Sequence, residues 1–438
     1  MKKVNGKVVI LGAGLTGLST AYALHANNDC IVFEKEKTYG GLCRSVNING
    51  FKFDFTGHLL HFKNQEVRKF VTNIVSSGLV SHRRNSWVHM CGKYTPAPFQ
   101  VNTFGLPAEI VRDCVMGYVD TLFNRSKSGH EVRSFYDWSI KYFGKGISRH
   151  FMFPYNTKLW RINPKLMSPE GVGNYVPKTS LEDILTGALT DQSKNSKGYN
   201  ADFYYPKRGG IQSLVDGFAA RVRDKISFSD EVLSIDCNNK TVLLSKSGWV
   251  KYNTLVSTIP LPEFVRRIKD APGEIVNAGK ALRSTKVLCI NIGVARNISD
   301  KHWIYFPEDK YNYYRVGFQN NFSVDVVPNK NYSSLYVEVA FHQDERINTE
   351  KHVKDAVDGL IIAGIIRPSD KIVVLQAVII PYAYVVYDFN RGRAVAKIQK
   401  YLNRKSIHSV GRYGAWEYSA MEDAIIHGQK VAGMIVNG

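Results

Sequence analysis

Three glycines, Gly12, Gly14 and Gly17, stand at GxGxxG spacing directly after the β-branched run 7–11 (KVVIL). Each has a physical task in a dinucleotide site. Gly12 permits a tight turn, Gly14 lets a pyrophosphate approach the backbone, and Gly17 lets the following helix close on the strand so that its N-terminus faces the phosphates. Glu34 lies twenty residues after Gly14, at the end of a second short apolar run (30–33), where a carboxylate can accept hydrogen bonds from ribose hydroxyls. A lone GxGxxG is also met in structural turns. Here strand, helix, second strand and acid are all in place, and the reading is a dinucleotide-binding unit.

Little else in the chain has catalytic spacing. The six cysteines (30, 43, 91, 114, 237 and 289) are far apart and form no CxxC, so neither a zinc site nor a disulfide framework is expected and a reducing cytoplasm fits. No metal-ligand cluster is read. The 438 residues hold 58 Lys and Arg against 38 Asp and Glu, a net charge of +20 that favours anionic ligands. The basic residues are scattered and no basic-aromatic module accompanies them, which argues against nucleic acid as the partner. No stretch reaches the roughly 18 apolar residues of a membrane span, and residues 1–11 lack the pattern of a secretory signal. Aromatic content is high, 12%, which suits large ring-lined cavities.

The elements that must position these residues follow from periodicity. A helix is expected over 18–26, and strands over 52–55 and 86–89. From Pro107 the apolar residues 110, 111, 114, 115, 118, 119 and 122 recur at helical spacing. Ser134 with Asp137 reads as a capping arrangement for the next helix, with the polar loop 124–130 before it. Helical or mixed structure continues to about 188, and 191–200 reads as a loop. Strands are expected over 226–228, 232–236, 241–244 and 254–257. Half-buried antiparallel strands then follow over 287–294, 304–306, 313–318 and 335–341. A helix over 352–365, a long apolar strand over 372–380 and a final helix over 422–436 complete the chain. The fold class is α/β: a Rossmann-like dinucleotide-binding domain (1–103, 201–275 and 396–438), a helical insertion (104–200) and an antiparallel β-sheet domain (276–395).

After Glu34 comes a second glycine pair, Gly40-Gly41-Leu42-Cys43-Arg44-Ser45, which resembles the FAD-binding flavoproteins of the amine oxidase and protoporphyrinogen oxidase group. Further segments resemble one branch, the UDP-galactopyranose mutases: FKFDFTGH (51–58), PFQ (98–100), FMFPYNTKLW (151–160), YPKRGG (205–210), WIYFPEDKYNYYR (303–315) and GRYGAWEY (411–418) followed by Met421. The resemblance implies FAD, reduced for activity with NAD(P)H as a possible donor, and a nucleotide-sugar substrate. It implies a redox-neutral reaction in which reduced flavin N5 displaces the nucleoside diphosphate and forms a sugar adduct. The sugar ring then opens and recloses, exchanging pyranose and furanose forms. The cofactor-binding residues so implied are Gly12, Gly14, Gly17, Glu34, Gly40, Gly41, Arg44, Gly57, His58, Val232, Gly411 and Met421. His58 and Arg315 carry the catalytic assignment. Arg315, Tyr382 and Tyr418 would hold the diphosphate; Gln100, Phe151, Asn156 and Trp160 would line the sugar and nucleotide pocket, bordered by Trp303 and Tyr305. The large rings fit equally well as core packing.

Departures from the family pattern bear on the substrate. A second phosphate-binding arginine is expected about fourteen residues past Trp160, where Asn174 and Tyr175 stand. Ala97 replaces a tyrosine before PFQ, and Ser419 and Ala420 follow Tyr418 in place of a carboxylate or amide. Unless Arg161 or Lys158 supplies the missing cation, these changes move the expected substrate away from UDP-galactose. The alternative is a FAD oxidase or dehydrogenase of the amine oxidase type, which shares the same glycine motifs.

Overall fold

The structure is a computed structural model that describes residues 8–25, 30–124, 131–171, 176–192 and 201–437. Asn174, Tyr175, most of the 191–200 loop and most of the 124–130 loop lie outside the described residues. Two large sheets organise the chain. The first has five parallel strands in the order Ile407–Ser409, Thr254–Ser257, Val8–Leu11, Cys30–Glu34 and Ile226–Phe228. Val8–Leu11 at its centre is buried on both sides, which is why it reads as a continuous apolar run rather than an alternating one. Val8, Ile10 and Val32 face a core shared with helices Leu15–Leu24, Gln212–Ala219 and Met421–Asn437. Val9, Leu11 and Phe33 face another core, built with helices Leu261–Arg266, Gly273–Lys280 and Arg391–Asn403. Helices Leu15–Leu24 and Met421–Asn437 approach closely: Ser19 Oγ donates to the Ile425 carbonyl at 2.9 Å, and a β-carbon on Gly428 would lie 2.7 Å from the Ser19 Cβ.

The second sheet has seven strands, ordered Ile372–Val385, Ser284–Val294, Ser333–His342, Arg315–Phe318, Trp303–Tyr305, Ser86–Met90 and Lys93–Pro96. The strands between 284 and 385 pair antiparallel, as expected, and Trp303–Tyr305 also runs parallel to Ser86–Met90, which extends the sheet. One expectation about this sheet needs correction. Its central strands are buried on both faces, because helix Thr349–Ile362 covers one face while the other closes against the dinucleotide domain. The helical insertion is anchored by close contact: a β-carbon on Gly146 would lie 1.8 Å from the Asp113 carbonyl, so helices Ala108–Asn124 and Phe135–Ile147 touch through backbone. Ser134 and Asp137 form the reciprocal capping box at the start of the second of these helices. A wide turn, Ser148–Met152, then leads into helix Phe153–Trp160, which points its rings at the seven-stranded sheet.

Candidate functional site

The glycine loop divides by task. Gly12 has φ +96°, and a β-carbon on Gly17 would lie 2.0 Å from the Gly12 carbonyl oxygen, so both are demanded by the turn itself. Gly14 is different. It precedes helix Leu15–Leu24 in extended backbone, and a β-carbon there would meet nothing closer than the Gly41 Cα at 3.9 Å. The Gly40 N–H donates to the Ala13 carbonyl at 2.8 Å, and Gly41 has φ +58°. The two glycine loops therefore lie side by side with no side chain between them, at a helix N-terminus. That is a cradle for a pyrophosphate.

The other predicted cofactor residues are placed as follows. The buried Glu34 carboxylate accepts from the Ala13 N–H at 2.7 Å and the Glu36 N–H at 3.0 Å; burial raises its pKa, and these bonds oppose the rise. Arg44 Nε donates to the Gly41 carbonyl at 2.7 Å, and its guanidinium sits 4.8 Å from the Phe55 ring centroid. Val232 follows the segment in which the Asp230 N–H donates to the Glu34 carbonyl, and its own carbonyl accepts from Arg267 Nε at 2.7 Å. Gly411 has φ +78° and leaves no room for a side chain against Thr16 of the first helix. Met421 opens the last helix. Gly57 presses on Tyr336, with a would-be β-carbon 2.3 Å from the phenol oxygen. Next to it, burial, reinforced by the charges of Arg412 and Arg315 and opposed by a backbone contact with Thr56, pushes the His58 imidazole down to about 4, so it is neutral at pH 7. The open glycine cradle, in which a side chain would take the space a phosphate needs, fits the pyrophosphate of FAD.

Beyond His58 the cleft is walled by rings. Phe99, Phe151 and Tyr155 form a near-parallel stack with centroids 5.0 and 5.2 Å apart. Tyr155 meets Tyr305 edge-on at 5.2 Å. Trp160 meets Tyr384 at 5.6 Å and Tyr418 at 5.5 Å. Arg315 lies among them. It stands directly across the ladder from Glu338, pairs with it through both Nε and Nη2, and places Nη2 3.4 Å from the Tyr384 hydroxyl. Burial lifts the Tyr384 phenol to about 12 and also raises Tyr418, so both hydroxyls are protonated donors at neutral pH.

The structure thus brings Phe151, Trp160, Tyr305, Arg315 and Tyr418 into one cluster of rings, with His58 within electrostatic reach of Arg315. It does not bring Tyr382, whose hydroxyl donates to Glu263 and whose ring packs on Trp416. The reason is a bulge: Thr285 pairs with Tyr384 and Val287 with Ile380, so extra residues on the outer strand turn Tyr382 away and Tyr384 inward. Trp303 packs among Phe203 and His302, behind Tyr305. Gln100 is buried with its amide donated to the Pro177 carbonyl at 3.1 Å; Asn156 accepts from Trp160 Nε1 at 3.0 Å and donates to the Met152 carbonyl. Neither candidate for the missing cation reaches the rings. Lys158 Nζ is bound by the Phe306 and Glu308 carbonyls at 2.9 and 2.7 Å, and Arg161 caps its helix 3.7 Å from Glu345. Tyr155, Glu338, Tyr384 and Arg412 were not singled out from sequence. Only Glu338 left a signal, one acid inside the apolar run LYVEVAF.

Comparison with known proteins resolves the family. Residues 15–436 match the family of flavin containing amine oxidoreductases. The chain belongs to this family. Among solved structures, a reduced UDP-galactopyranose mutase superimposes with a TM-score of 0.91 at 29% identity, covering 99% of this chain and 94% of that one. A putative protoporphyrinogen oxidase from Exiguobacterium sp. 255-15 (TM-score 0.74, 15% identity) and putrescine oxidase (0.68, 16%) each cover 99% of both chains and share the fold. A curated relative, an uncharacterized protein in the nifH2 3' region of Methanothermococcus thermolithotrophicus, is 44% identical over 59 residues, 13% of this chain; the match spans 57% of that relative's length. This flavin amine oxidoreductase family member is similar over nearly its whole length to UDP-galactopyranose mutase. No helix among the described residues is long and apolar enough to cross a membrane.

Proposed function

We propose that the protein is a FAD-dependent mutase that interconverts pyranose and furanose forms of a nucleotide-diphosphate sugar. The observation that carries this is the ring-walled recess beside His58, with Arg315, Tyr384 and Tyr418 presenting donors into it. When bound and reduced, the flavin supplies a nucleophilic nitrogen for displacement at the anomeric carbon. The protein's part is positional. Gly14 and Gly41 would admit the cofactor's pyrophosphate, and the neutral His58 adds no charge beside Arg315 and Arg412. Arg315 presents the edge of its guanidinium not occupied by Glu338, and the Tyr384 and Tyr418 hydroxyls donate to the leaving diphosphate, so that it stays in place for return. Phe151 and Trp160 pack behind the site and exclude water, and Tyr155, at the end of its stack, offers a ring to base or sugar.

The fold is shared with oxidases, so the decisive test is redox dependence. Incubated without oxygen after dithionite reduction, with a panel of UDP-, GDP- and dTDP-sugars, the protein should change the ring form of one of them, read by chromatography. An oxidised protein that consumes oxygen with an amine, and a reduced one inert to every sugar nucleotide, would favour the oxidase reading.

A further inference from the structure

The two arginines of the cleft differ in charge balance. Arg315 is neutralised by Glu338, which has no solvent exposure and binds it through both carboxylate oxygens. Arg412 has no such partner among the described residues. Its Nη1 donates to the Ser419 carbonyl at 2.6 Å and Nη2 to the Ala383 carbonyl at 3.1 Å, while the rings of Tyr418, Tyr384 and Tyr413 lie 4.9, 5.7 and 5.8 Å from its guanidinium carbon. Carbonyls and ring faces orient a cation without cancelling its charge. Arg412 follows Gly411, which packs on the first turn of the dinucleotide helix, and its field reaches Cys43 of the second glycine loop as well as His58. His58 is neutral, Arg315 is paired with Glu338, and the buried Asp54, which also acts on Cys43, is held by Ser45 Oγ, the Tyr205 hydroxyl and the Ile211 N–H; Arg412 is the cation beside the rings with no carboxylate bonded to it among the described residues.

A group held in such a place is stabilised most in the state that carries an opposite charge. Two electrons and one proton taken up by a flavin leave its ring system with one negative charge. We propose that Arg412 is the cation that balances this charge, and so sets the flavin's reduction potential, while Arg315 is kept neutral for substrate. The inference rests on the flavin reading above.

The test is the midpoint potential of the FAD-loaded protein, measured by equilibration with a reference dye under dithionite reduction, with oxidised-FAD affinity measured in parallel. R412Q should lower the potential by at least about 30 mV, equivalent to tenfold weaker holding of reduced relative to oxidised flavin. R412K, which keeps the charge, should stay near the wild type. E338Q, which frees the charge of Arg315, should move the potential upward. A flavin-loaded R412Q with the wild-type potential, or one that loses oxidised and reduced flavin equally, overturns the assignment and leaves the flavin reading intact. A wild-type protein that takes up no flavin overturns both.

Discussion

Arg315 and Glu338 face each other across adjacent antiparallel strands, and the carboxylate is fully buried. Truncating either residue strands the other's charge. Glu338→Ala should therefore cost about 3–5 kcal/mol of stability, measured by denaturant unfolding. Arg315→Lys keeps the charge but loses the planar fork. It should weaken nucleotide-sugar binding about tenfold or more while leaving FAD binding near the wild type; equal loss of both would count against its placement at the substrate.

Two tyrosines on one strand separate substrate contact from packing. Tyr384→Phe should reduce kcat/KM about tenfold by removing one donor. Tyr382→Phe, which loses only the bond to Glu263, should leave kcat/KM unchanged and cost about 1 kcal/mol of stability. Steady-state kinetics on both variants decide this, and a reversed order would restore Tyr382 to the site.

The glycines of the first loop should fail in different ways. Gly14 faces open space, so Gly14→Val should fold and lose FAD affinity by about a hundredfold or more, giving a colourless protein with a cooperative melt. Gly17→Ala drives a methyl into the Gly12 carbonyl and should lower the melting temperature of the apoprotein itself. A yellow, fully loaded Gly14→Val protein would contradict the cradle.

Acid should probe His58. Its pKa falls from 6.5 to about 4 on folding, so its contribution, about 3 kcal/mol, is present above pH 6.5 and is lost as pH falls through 4. Asp54 runs the other way: burial raises it to about 6, so its contribution is full below its ordinary 3.8 and is lost as pH rises through 6. His58→Gln should thus flatten the loss of stability between pH 6.5 and 4 by about one proton, read from unfolding curves at several pH values. An unchanged slope would show that the ring is not buried in solution.

The dinucleotide loop was legible because Gly12 and Gly17 answer local backbone demands at fixed spacing, with Gly14 between them, and Glu34 because the strand ends where the chain turns. The parallel sheet followed from apolar runs. The mixed pairing of Trp303–Tyr305 with Ser86–Met90 was not legible, since nothing local encodes which distant strand lies alongside. Tyr384 escaped for a related reason: the strand expected from sequence ends at 380, and regular alternation would put Tyr382 and Tyr384 on one face, which the two extra residues between the Thr285 and Val287 pairings prevent. Arg412 sat in a recognised motif, but its lack of a counter-ion is a property of the packed site.

In the proposed mutase reaction the flavin assists without net electron transfer. One anaerobic reaction, followed after a single reduction for flavin absorbance, oxygen and sugar ring form together, tests this. Many ring interconversions per flavin are expected, with the reduced spectrum persisting and no further reductant used. One flavin reoxidised for each product formed would exclude a redox-neutral reaction.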